Sequence, residues 1–75
     1  MIKPWNRMTY DRELNSWFVL LEEKAYPVYC GECFEIRIGD HGIPCCLELD
    51  RHWYVIMREA RFNLRSKDIY HIRFV

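Results

Sequence analysis

Strict alternation between residues 33 and 57 constrains this chain most. Phe34, Ile36 and Ile38 alternate with Cys33, Glu35 and Arg37. Ile43, Cys45, Leu47 and Leu49 then alternate with Cys46 and Glu48. Successive side chains of a strand point to opposite faces, so each run reads as a half-buried strand. A third run, residues 53–57, is apolar on both faces, and we read Tyr54 and Ile56 as its inward pair. Gly39-Asp40-His41-Gly42 and Asp50-Arg51-His52 separate the runs as turns. The stretch predicts a three-stranded antiparallel meander.

Two flanks extend it. Residues 7–10 and 16–22 form a hairpin around the turn at 11–15, with Trp17, Val19 and Leu21 on one face and Phe18 and Leu20 on the other. Apolar residues on both faces predict a strand that is buried on both sides or that helps to close a barrel. Residues 23–29 are read as a connection, with Pro27 holding Tyr26 extended. Residues 58–66 predict one short helical turn. Residues 68–75 predict a closing strand with Tyr70, Ile72 and Phe74 inward and His71 and Arg73 outward. With 75 residues the chain is read as one domain, 1–75. A domain of this size buries only about 60% of its unfolded surface, which leaves no room for an enclosed cofactor layer. Five to six short strands in so small a chain predict an all-β, SH3-like antiparallel barrel, because closure removes exposed edges, with an open antiparallel sheet carrying one helix as the alternative.

The pattern Tyr29-Cys30-Gly31-Glu32-Cys33-Phe34-Glu35-Ile36, with Ile43-Pro44, Leu47-Glu48 and Trp53-Tyr54-Val55-Ile56 after it, resembles a family of short bacterial proteins. That family is a domain of unknown function, the five-three-four-eight type. The resemblance extends to the Tyr10 to Trp17 hairpin and to Ile72-Arg73-Phe74, so it covers most of the chain. It departs at Gly42, where members usually carry a tryptophan, and at residues 58–67, which are longer and more basic here. The resemblance implies gut-type Gram-positive bacteria and a neighbourhood of plasmid or conjugative-element genes. It implies no activity and supplies no catalytic residue.

The opening residues lack the apolar run of a signal peptide, and no stretch approaches the roughly 20 apolar residues of a membrane helix. We therefore expect a cytoplasmic protein without membrane contact, its four cysteines reduced or bound to metal. Cys30 and Cys33 have the spacing of half a zinc site. The remaining ligands are awkward, because adjacent Cys45 and Cys46 face opposite ways in a strand. A redox dithiol at Cys30 and Cys33 lacks the helix N-terminus that usually activates one. Packing accounts for the cysteines more simply, and neither metal nor cofactor is expected.

Charge supplies the other clue. Residues 1–50 hold five basic and nine acidic side chains, residues 51–75 six basic and two acidic, for a formal net charge of zero. Arg58, Arg61, Arg65 and Arg73 are interleaved with Trp53, Tyr54, Phe62 and Tyr70. Basic and aromatic side chains together suit a nucleic-acid strand, although a pI near 6.8 is far from that of most proteins that bind one. The aromatic surplus suits a protein partner instead. The carboxylates Glu32, Glu35, Glu48 and Asp50 stand in no recognisable relation to a nucleophile. We expect a non-catalytic accessory module of a mobile element, monomeric or weakly dimeric. Its binding residues would be Trp53, Arg58, Arg61, Arg65 and Arg73, with a protein partner first and nucleic acid as the alternative.

Overall fold

A computed structural model describes residues 4–74. They form eight strands: β1 (Asn6–Asp11), β2 (Ser16–Leu21), β3 (Lys24–Val28), β4 (Cys33–Ile38), β5 (His41–Leu49), β6 (Trp53–Met57), β7 (Arg61–Asn63) and β8 (Tyr70–Arg73). All lie in one antiparallel sheet, in the order β3-β2-β1-β8-β4-β5-β6-β7. The C-terminal strand is thus in the middle. Ile72 stands opposite Asn6 on one side and Ile36 on the other, so β8 joins the N-terminal strands to the meander.

The meander forms in the expected register. Gly39-Asp40 is a two-residue turn between Ile38 and His41, with Gly39 at φ 63°. Positive φ at the first central residue only is the pattern of a II′ turn, which matches strand twist. At the next turn the Asp50 carboxylate accepts a hydrogen bond from the His52 N–H, 3.0 Å. The less obvious turn lies between β2 and β3. Leu21 pairs with Lys24, and both Glu22 and Glu23 have positive φ, 49° and 70°. This is I′-type geometry built without glycine or asparagine. It turns residues 24–28, read from sequence as connection, into a strand.

One face of the sheet carries the core: Met8, Trp17, Val19, Val28, Phe34, Ile36, Cys45, Leu47, Val55 and Ile72, with Leu64 from the last loop. The sheet rolls over this core. Phe62 of β7 meets Tyr70 of β8 edge-on at 6.2 Å, although three strands separate them in the order. Trp17 packs between Tyr10 and Tyr70 with ring centroids 5.3 and 5.6 Å away.

Several expectations need correction. The sheet is open: β3 and β7 each pair on one side only, so no barrel closes, and there are eight strands rather than five or six. Leu20 and Phe18 therefore face outward, and Leu20 is 44% exposed. Residues 58–66 hold no helical turn. Arg61–Asn63 pairs with β6 as β7 instead, because Arg58-Glu59 forms a tight turn closed by Met57 N–H to Ala60 C=O at 2.7 Å. In β6 the inward set is Trp53, Val55 and Met57, not Tyr54 and Ile56. The pairing of Val55 with buried Leu47 fixes that choice. Among the described residues no helix is long and apolar enough to cross a membrane.

The cysteines also differ from expectation. Cys33 and Cys46 stand directly opposite on β4 and β5 and are joined by a disulfide, Cα–Cα 4.0 Å. Register, not sequence spacing, brings them together. Cys30 is a free, exposed thiol and Cys45 a free, buried one.

Candidate functional site

One end of the rolled sheet gathers the turn after β1, the turn after β5 and the loop before β8. Between them lies a groove of about 380 Å³ lined by Tyr10, Asn15, Trp17, Trp53, Leu64 and the turn residues Leu49 to His52, with Ser66 at the rim. Three aromatic rings come from β1, β2 and β6, because inward positions at strand ends converge where a sheet rolls.

Asn15 ties the two sides of this groove together. Its Oδ1 accepts from the Tyr10 hydroxyl and from Trp53 Nε1, the latter at 3.4 Å. An indole N–H only donates, so the atom facing Trp53 is the amide oxygen and the Asn15 amino group is left over. Asn15 reaches this place because it takes φ 49°, which asparagine tolerates better than most residues. Trp17 Nε1 is the buried side-chain polar atom without a hydrogen-bond partner among the described residues. Such an orphan donor costs about 1–3 kcal/mol. The exposed donors on the groove are the Asn15 amino group and the side chains of Arg51 and His52, and the buried Trp17, which also lines it, keeps an unpartnered Nε1. Asp50 is the acid nearby, and it is engaged. The His52 N–H holds its carboxyl below the usual range, desolvation partly offsets this, and Arg61 at 3.1 Å adds to the lowering.

The residues expected to bind are not brought to one place. Trp53 lines the end groove. Arg61 lies on the outer face of β7, paired with Asp50 and stacked 3.7 Å over the Tyr54 ring. Arg65, in the last loop, is 3.8 Å from Asp68. Arg73 lies on the outer face of β8, 2.6 Å from Glu35, with both side chains 21% exposed. Its guanidinium also stacks 4.1 Å over Trp5. The Trp5 ring covers Gly42, so an aromatic from another part of the chain fills the place where the resemblance puts a tryptophan. Arg58 is exposed in the β6–β7 turn and has no ion pair among the described residues. The sequence did not point to Tyr10, Asn15 or Trp17 as site residues. The one available signal was the pair of aromatics flanking a polar turn.

Cys30 and Cys33 do not present two thiolates to a metal, because Cys33 is held in the disulfide. Among the described residues no group of three or more His, Cys, Asp or Glu side chains is placed to hold an ion. A second groove, about 530 Å³ and mainly apolar, lies along the disulfide. Cys33, Cys46, Pro44, Ile56 and Arg58 line it, with the inward-facing Phe34, Cys45 and Met57 along its inner side. Burial pushes the neighbouring Cys45 thiol up to about 12, although a hydrogen bond with the Ile36 backbone lowers it somewhat.

Comparison with known proteins places the chain. Residues 6–74 match the family described as a domain of unknown function (DUF5348), and the chain belongs to that family. A crystal structure of a protein from Ruminococcus gnavus, a structural-genomics target, is similar, with a TM-score of 0.75 and 25% identity. The match covers 95% of this chain and 100% of that one. No curated protein matches the sequence.

Proposed function

We propose that the protein is a non-catalytic interaction module whose end groove takes an extended, acidic segment of a protein partner. The observation that carries this reading is the donor surplus of an aromatic groove. Trp17 Nε1 and the Asn15 amino group lack acceptors, and Arg51 and His52 stand at the rim. An extended peptide supplies carbonyl acceptors, and its side chains pack on flat aromatic rings. The sheet edges are less suited to a partner. β3 carries Pro27, which has no N–H to offer, and β7 is three residues long. Both features blunt edge pairing.

The nucleic-acid reading has less support. A strand-binding surface needs cations along one track. Arg61, Arg65 and Arg73 each pair with a carboxylate, and Arg73 is three strands away from β6.

Selection of a displayed random-peptide library against the protein tests the proposal. Binders enriched in Asp or Glu are expected, and Trp53→Ala or Asn15→Ala should weaken them roughly tenfold or more. Peptides that bind both variants as well as the parent would overturn it. So would a salt-sensitive oligonucleotide affinity that Arg58→Ala and Arg61→Ala abolish.

A further inference from the structure

We propose a second, independent site: the Cys33–Cys46 disulfide is a reactive bond that exchanges with small anionic thiols seated in the outer groove. Register builds this site. Cys33 of β4, Cys46 of β5, Ile56 of β6 and Arg61 of β7 stand in one row on the outer face. The bond is therefore on the surface, not in the core. Cys33 is exposed and Cys46 half-buried. The groove beside it is the larger of the two described; Pro44 and Ile56 wall it on the outer face, and Phe34 and Met57 reach it from the core side. Those walls suit the carbon skeleton of a thiol. Arg58 stands at the rim and is the basic side chain there without a carboxylate partner among the described residues. Its charge selects a thiol that carries a carboxylate.

The chemistry balances without a further reagent. The thiolate sulfur of the small thiol bonds to Cys33 Sγ, which belongs to the more exposed of the two residues. The Cys33–Cys46 bond breaks, and its electron pair leaves on Cys46 Sγ, which takes a proton from water. A second thiolate then attacks the small-molecule sulfur of the mixed disulfide and releases the oxidised dimer. Cys33 leaves as a thiolate. Two thiols have been oxidised and one protein disulfide reduced. Cys45 lines the inner side of the same groove but takes no part, since it is buried and stays protonated. The six residue pairs of the β4–β5 ladder do not depend on the bond. Opening it therefore changes the outer groove without dismantling the fold.

The test uses the full chain, purified without reductant and treated with reduced glutathione or, separately, with cysteamine. Intact mass and peptide mapping follow the adduct. The expected result is a mixed disulfide on Cys33, forming roughly fivefold faster with glutathione than with cysteamine, the factor that one close charge supplies in water. Arg58→Gln should erase that preference, and Cys30→Ser should leave the adduct in place. Arg58 is exposed, so an unchanged circular dichroism spectrum is expected for its variant. Four results overturn the proposal: Cys33 and Cys46 free as thiols at the outset, a bond that resists excess thiol, equal rates for the two reagents, or an adduct on Cys30 alone.

Discussion

The meander β4–β7 and the N-terminal strands β1–β3 solve the same problem differently. Both are antiparallel runs that bury one face against a shared core. The meander turns on residues suited to turning, Gly39-Asp40 and Asp50-Arg51-His52, and carries a cross-strand disulfide. The N-terminal strands turn at Glu22-Glu23, two residues that resist positive φ, and carry no covalent tie. The outer groove belongs to the meander alone, whereas the end groove needs Tyr10, Asn15 and Trp17 from one region and Trp53 from the other. The difference shows which site depends on the whole fold. A surface made within one hairpin pair survives local damage, but one that spans β8 does not.

The largest expected effect comes from breaking the junction. Ile72 is fully buried and faces both regions, so Ile72→Ala should cost about 2–5 kcal/mol in urea unfolding. The end groove should fail before the outer one, seen as loss of peptide binding while thiol reactivity persists. Next is Gly42. A Cβ there would approach Trp5 Cη2 and Glu35 Oε1 at 2.9 Å and Arg73 Nη2 at 3.1 Å. All three are side-chain ends that can swing aside, so Gly42→Ala should cost about 1 kcal/mol, by loosening the Glu35–Arg73 pair that covers the outer face.

A comparable change should strengthen the weaker region. Replacing Glu22-Glu23 with Asn-Gly relieves two left-handed residues and should stabilise the protein by about 1 kcal/mol. The same exchange at an already suitable turn would do nothing. The smallest effect is electrostatic. The folded carboxyl of Asp50 is held below its ordinary range, so its contribution is present above the unfolded pKa and is lost as pH falls through the folded one. Asp50→Asn should therefore lower stability slightly at neutral pH, leave it unchanged below the folded pKa, and flatten the pH profile between the two.

These contrasts also mark what the sequence made legible. The inward sets of β4, β5 and β8 followed from alternation, because each of these strands has one polar or semi-polar face, whereas β2 is apolar on both faces and its inward set did not follow. β6 is apolar on both faces, so its orientation needed the pairing of Val55 with Leu47. β3 stayed hidden because its turn lacks the usual residues. The barrel was inferred from apolar Phe18 and Leu20, which instead lie on an exposed outer face. Trp53 was singled out from the sequence, but the residues it meets in the end groove were not. Asn15 lies 38 residues away from it, and only the rolling of the sheet brings them together. The disulfide was missed for the same reason. Its cysteines are 13 residues apart, and their opposition is a fact of register.

The central claim is that the end groove receives a peptide through its spare donors. The indole N–H resonance of Trp17, followed by NMR while a selected acidic peptide is added, tests it most directly. A saturable shift of that resonance and of the Asn15 side-chain amide is expected, both lost in Trp53→Ala. A bound peptide that leaves both resonances unmoved, and instead perturbs β3 or the Arg58 turn, would contradict it.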